Sequence, residues 1–311
     1  MTGAERNIRR IVVGFVVFLL VAISGPAATA GRAVTDQLGR RVSIPAHPRR
    51  IIALAPSIAE IIFALDQGHR LKGVTQYSDY PQAALDLPQV GSYVHLDVEK
   101  IVALRPDLCI AVKDGNPLTV IRRLESLAIP VYAVDPRNLA AVMDTITEIG
   151  SLLDASDRAE EIVGDMRRRI GIVRETVVGA GGTPTVFFQI GIAPIVSVGT
   201  HTFIHELIVM AGGRNLTEGP LPYPRLSREQ VIALAPEVLI ITSMERGGVF
   251  DKVKAEWRRW PDMPAVKNDR ILLADSNLLD RASPRLVDGL ELLARLIHPE
   301  LFETGPRGST P

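Results

Sequence analysis

Residues 93–110 read YVHLDVEKIVALRPDLCI, and residues 223–240 read YPRLSREQVIALAPEVLI. Aligned without gaps, they share Tyr93/Tyr223, Leu96/Leu226, Glu99/Glu229, Ala103/Ala233, Leu104/Leu234, Pro106/Pro236 and Ile110/Ile240. Composition alone gives about one or two such matches in a stretch of this length. The copies stand 130 positions apart, too far for a solenoid repeat and right for a duplicated domain.

Working outward, the duplication extends upstream. Arg50–Leu65 (RIIALAPSIAEIIFAL) is an apolar run, an Ala55-Pro56 turn and a helical pattern holding Glu60. Thr185–Pro194 (TVFFQIGIAP) followed by Phe203–Gly213 (FIHELIVMAGG) repeats that order, with Ala193-Pro194 and Glu206 in the matching places. An apolar run without alternation suits a strand buried on both faces. Downstream, Glu99 and Glu229 are expected as the first residues of short helices that end before Pro106 and Pro236. LCIAV (108–112) and VLIIT (238–242) are the next buried strands. In the first copy a helix over 117–127, a strand over 131–134 and a helix over 139–153 complete a βαβα order, which implies a mostly parallel sheet with helices on both faces.

Between the copies, Ala159, Ile162, Val163, Met166, Ile170, Val173 and Val177 recur at helical spacing, with Ser156 as the expected N-cap and Gly179-Ala-Gly-Gly182 as the stop. At about 1.5 Å per residue this predicts a rigid rod of roughly 33 Å. The fold class expected is therefore α/β: two Rossmann-like lobes with mostly parallel sheets, joined by one long α-helix. The predicted division is a lobe over 31–154, a connecting helix over 155–180, a lobe over 181–303 and a disordered tail over 304–311. Residues 1–30 carry Arg6, Arg9 and Arg10, an apolar run over 11–23 and Ala28-Thr29-Ala30, the pattern of a cleaved export signal. No Cys follows the apolar run, so lipid attachment is not expected. An uncleaved anchor is the alternative for the same segment.

Hydrophobic residues make up 47% and charged residues 23%, and Lys+Arg balance Asp+Glu at 35 each. A neutral chain without a basic stripe argues against a nucleic-acid partner. The only cysteine, Cys109, sits in a strand-like run and reads as a buried core thiol. No GxSxG, Walker A or HExxH pattern occurs, so no catalytic residues are assigned and no enzyme is expected. His201 and His205 stand at i, i+4 beside Glu206. They suggest zinc only if a third ligand such as His95 joins them.

Two lobes on one connector leave a cleft beyond the carboxyl ends of their strands. The duplication places equivalent loops of both lobes along it. They hold Tyr77 and Tyr80 (QYSDYP), Tyr93 and His95 (GSYVH), Tyr223 (PLPYPRL), and Asn277 and Arg281 (DSNLLDRASPR). A tyrosine offers a broad rigid face and one polar end, well suited to a flat macrocycle. The paired Glu99 and Glu229 have two readings. They cap their helices favourably, or they present a matched pair of acids to a two-fold symmetric partner carrying Arg.

The strings RIIALAPSIAEIIFAL, QYSDYP, EKIVALRPDL, FFQIGIAP, FIHELIVMAGGRN, RLSREQVIALAPEVLI and DRASPRLVDGLELLA resemble the substrate-binding proteins of ABC importers for cobalamin and iron complexes, over residues 48–297. QYSDYP, YPRLSREQ and RASPR are most similar to the cobalamin-binding branch. The resemblance implies a periplasmic, monomeric binding protein that takes cobalamin or a related corrinoid in the interlobe cleft without turnover and hands it to a permease dimer with its ATPase. It implies no cofactor, since the ligand carries its own metal. It gives Tyr77 a ligand contact, and Glu99 and Glu229 the role of docking on permease arginines. That branch tends to have Trp where this chain has Tyr93 and Tyr223, and an aromatic is replaced near Ile190 and Val196. Haem or a ferric siderophore is thus the alternative cargo, with a Tyr or His95 reaching iron and Arg281 pairing with a carboxylate. A sensor or surface module reusing the fold is a further one.

Overall fold

The duplicated unit takes one topology twice in the computed structural model, which describes residues 31–242 and 249–302. The segment expected as an export signal and the tail over 304–311 lie outside the described residues. The chain begins with an antiparallel hairpin of β1 (Gly31–Thr35) and β2 (Arg41–Pro45). The first lobe continues with β3 (Ile51–Ala53), α1 (Pro56–Ala64), β4 (Leu71–Gly73), α2 (Val98–Ala103), β5 (Leu108–Val112), α3 (Leu118–Ser126), β6 (Val131–Val134) and α4 (Leu139–Leu152). Next comes the connector α5 (Ser156–Val178). The second lobe contains β7 (Thr185–Gln189), β8 (Ile195–Val196), α6 (Phe203–Met210), β9 (Arg214–Asn215), β10 (Arg225–Leu226), α7 (Arg228–Leu234) and β11 (Val238–Ile241). It closes with α8 (Val249–Trp257), α9 (Pro264–Lys267), β12 (Ile271–Leu273), α10 (Ser276–Leu279) and α11 (Leu286–Ile297).

The first sheet runs β4-β3-β5-β6 and the second β9-β7-β11-β12, every pairing parallel. Each lobe thus orders its strands second, first, third, fourth. Arg105 and Ala235, equivalent in the duplication, share the left-handed backbone just past α2 and α7, both at φ 47.

Strand alternation divides the core. Leu108 and Ile110 of β5 and Val238 and Ile240 of β11 face one continuous apolar cluster that spans both lobes. Their neighbours Cys109 and Leu239 face the opposite sides, each in its own lobe's outer cluster. α5 contributes Ala159, Val163, Met166, Ile170 and Val173 to the shared cluster, a stripe at alternating spacings of four and three residues. Its polar side is tied down too: Arg169 donates to Glu291 at 2.8 Å and to Asp288 at 2.5 Å, both on α11. Burying one stripe of α5 against both lobes makes the connector part of the core, which restricts the hinge. Burial also pushes the Cys109 thiol up to about 12, and the coulombic effect of Asp107 adds to it, which keeps the group a thiol.

Three local expectations are corrected. Ser156 is the first helical residue of α5 rather than its N-cap; Ala155 holds that place and offers no side-chain acceptor. Glu99 and Glu229 are second in their helices, because Asp97 and Ser227 are the caps: Asp97 accepts the Lys100 amide at 3.0 Å and Ser227 that of Gln230 at 3.3 Å. His298, whose place in the sequence reads as that of an ordinary surface residue, is buried and bonds the Gly212 carbonyl at 3.1 Å.

Candidate functional site

The carboxyl ends of the strands in both lobes open onto one cavity of about 940 Å³. Tyr77, Tyr93, Tyr223, Asn277 and Arg281 line it. Tyr93 is held from behind. The amide of Asn116, just past β5, donates to the carbonyls of Tyr93 and Leu54, both at 2.8 Å, while its oxygen accepts the Val112 amide at 2.8 Å. Gly115 sits at φ 135, and a Cβ there would stand 2.7 Å from Cδ2 of the Tyr93 ring. The loop therefore needs glycine for its backbone and for the ring beside it. Tyr223 is placed by backbone pairing of its loop, with Ser197 donating to Pro224 at 3.0 Å and Gly199 to Pro222 at 2.8 Å. Enclosure raises the Tyr223 phenol above its ordinary pKa. Asp114, Asp280 and Tyr93 add to this and Arg137 opposes it, so the residue remains a neutral donor.

Two predicted residues stand elsewhere. Tyr80 and His95 are not among the residues lining the cavity. The Tyr80 ring instead lies under the Arg285 guanidinium, 4.0 Å from its centroid. His95 is exposed, its loop turned by its own amide donating to Ser92 Oγ at 3.0 Å. Two residues of the zinc alternative are engaged in other bonds. The Glu206 carboxylate accepts the Leu139 amide at 2.7 Å, and Nδ1 of His205 pairs with Asn215 at 3.1 Å. Among the described residues no three His, Cys, Asp or Glu converge to hold a metal.

Arg281 is more than a wall residue. Its Nη1 reaches Glu60 at 2.8 Å and Asp79 at 2.7 Å, and Nη2 donates to the Tyr77 carbonyl at 2.9 Å. Ser283 donates to Glu60 at 2.6 Å, and Arg285 stands 3.3 Å from the same carboxylate. Glu60 is 3% exposed, so these cross-lobe bonds lie in a dry place where each is strong and none is easily replaced by water. Across the cavity, Lys113 and Arg137 both pair with Asp135 at 3.0 Å, and Arg137 approaches Asp114 at 3.8 Å. Burial works to raise the Asp135 pKa, but the bonds from Lys113 and Arg137 outweigh it and hold the carboxyl below its usual range. Asp280 is exposed and stands in the wall of the same cavity. That enclosure pushes it up to about 7, with Arg281 opposing and Asp275 reinforcing.

Sequence reasoning missed Lys113, Asp135, Arg137, Asn116 and the cross-lobe role of Glu60. For Lys113, Asn116, Asp135 and Arg137 the one advance signal is position, since residues 113–116 and 135–138 directly follow β5 and β6.

Comparison with known proteins places this geometry. The profile of the family described as periplasmic binding protein matches residues 51–278. The vitamin B12-binding protein of Pectobacterium carotovorum is 30% identical over 267 residues, which cover 85% of this chain and 92% of that protein. The crystal structure of the periplasmic vitamin B12-binding protein of Vibrio cholerae superimposes with a TM-score of 0.72 at 28% identity, covering 83% of this chain and 99% of that one. A periplasmic haem-binding protein from Pseudomonas aeruginosa superimposes with a TM-score of 0.74 at 29% identity, covering 81% and 93%.

Proposed function

The chain belongs to the periplasmic binding protein family, and from that premise we propose that it captures cobalamin or a related corrinoid between its lobes and delivers it to the permease dimer of an ABC importer. The family places it in the periplasm, and the segment over 1–30 serves as its cleaved export signal. One observation carries the ligand assignment: a cavity of about 940 Å³ with Tyr93 on one lobe and Tyr223 on the other, in a chain similar over most of its length to vitamin B12-binding proteins.

The tyrosines supply flat apolar faces for the ring, and their hydroxyls, with Asn277, meet its polar fringe. The chain works as a monomer, binds without turnover, and needs no cofactor because the cobalt arrives with the cargo. Glu99 and Glu229 dock on arginines of the permease. Each lies six residues beyond a cavity tyrosine, in segments of equal length. A partner that pulls on α2 and α7 therefore acts on Tyr93 and Tyr223 together. The ATPase bound to the permease drives the later steps of transport.

The test is the visible spectrum of the purified chain after incubation with cyanocobalamin and gel filtration. A retained corrin spectrum is expected. The second reading, haem, is favoured by the similarity to haem-binding structures; a retained Soret band after incubation with haem, without corrin retention, would establish it.

A further inference from the structure

We propose that the cavity selects its cargo by charge, because carboxylates of the protein already engage the Lys and Arg side chains of its wall, so it accepts an uncharged, amide-fringed macrocycle and rejects a carboxylate-fringed one. This rests on the cleft being the ligand site. Among the described residues, the wall carries Lys113, Arg137 and Arg281. Lys113 and Arg137 share Asp135, with Asp114 beyond, and Arg281 is held by Glu60 and Asp79. Asp280 adds a further carboxylate facing the same space.

A ligand carboxylate entering here finds the cationic charge already countered, must shed its own water and must approach Asp135 and Asp114. A primary amide meets no such cost. Its oxygen takes a spare N–H of a paired guanidinium, and its NH₂ takes a free lone pair of the partner carboxylate. Haem carries two propionates, whereas cobalamin is fringed with amides. The charge pattern of the wall therefore opposes the haem reading that the fold alone leaves open.

The test is titration of wild type, Asp135→Asn and Asp114→Asn with cyanocobalamin and with ferric haem, followed by calorimetry and absorbance. Asp135→Asn frees Lys113 and Arg137, and should raise the ratio of haem to cobalamin affinity about tenfold, the worth of one charged hydrogen bond. The gain should shrink as salt is added. Asp114→Asn, at a more exposed position, should move the ratio the same way by less, and guards against a folding defect in the first variant. If wild type binds cobalamin but neither variant shifts the ratio towards haem, charge selection is wrong and the corrinoid assignment stands. If wild type binds haem in preference to cobalamin, both fall.

Discussion

Glu60 and Glu206 sit on the first helix of their respective lobes, and each reaches into the other lobe. Glu60, on α1, takes Arg281, Ser283 and Arg285 just ahead of α11. Glu206, on α6, accepts the amide of Leu139, the first residue of α4. Since α4 and α11 both pack on the connector, the two glutamates form a pair of cross-lobe ties flanking the cavity. They add a polar restraint on hinge motion to the shared apolar core.

The two ties differ in strength. Glu60 is buried with charged partners, whereas Glu206 is half-buried and serves one backbone amide. Glu60→Ala should destabilise the chain by about 3–5 kcal/mol, the cost of stranding buried charged partners. Glu206→Ala should cost about 1 kcal/mol, the usual worth of a helix cap. Urea denaturation of both variants checks the ordering; equal losses would contradict it.

The cavity lining separates the tyrosines. Tyr93→Ala and Tyr223→Ala should each weaken cyanocobalamin binding by about tenfold, typical of an aromatic anchor in a pocket. Tyr80→Ala and His95→Ala should change it by less than about twofold, in line with near-neutral peripheral positions. Calorimetric titration of the four variants checks this.

Docking and capping are separable because Asp97 and Ser227 do the capping. Glu229 is held below its ordinary range by its own backbone amide and the Ser227 hydroxyl, so it presents a charge at neutral pH. Glu99→Lys combined with Glu229→Lys should lower uptake into permease-containing vesicles while leaving cobalamin affinity intact. A parallel loss of affinity would point instead to damage in α2 and α7.

Asp280 makes stability depend on pH. Its folded pKa of about 7 lies above the ordinary carboxylate value. Between the two, the folded chain holds a proton that the unfolded chain has lost, and stability falls as pH rises through that window. Asp280→Asn should therefore stabilise the chain relative to wild type at pH 8 more than at pH 5, by about 1 kcal/mol given that the side chain meets cavity water. Equal gains at both pH values, read by thermal melting, would contradict this.

The topology was legible because duplication is a long-range signal: Glu99/Glu229 and Pro106/Pro236 mark the same turn twice, and the parallel sheets follow from unbroken apolar strands. The site was legible only as loops. Tyr77 and Tyr80 are three residues apart on one loop, yet one lines the cavity and the other lies under Arg285; that divergence depends on the other lobe. The Arg281–Glu60 bond joins residues 221 positions apart, and no local pattern announces it. Arg281 was found from its loop, but its commitment to Glu60 and Asp79 required the packed lobes.

A crystal structure of the chain with cyanocobalamin bound tests the central claim most directly. The corrin ring should lie between the lobes, with Tyr93 against one side and Tyr223 against the other, and the Arg281–Glu60 bond kept. A ring seated on an outer surface, with both tyrosines untouched, would contradict the account.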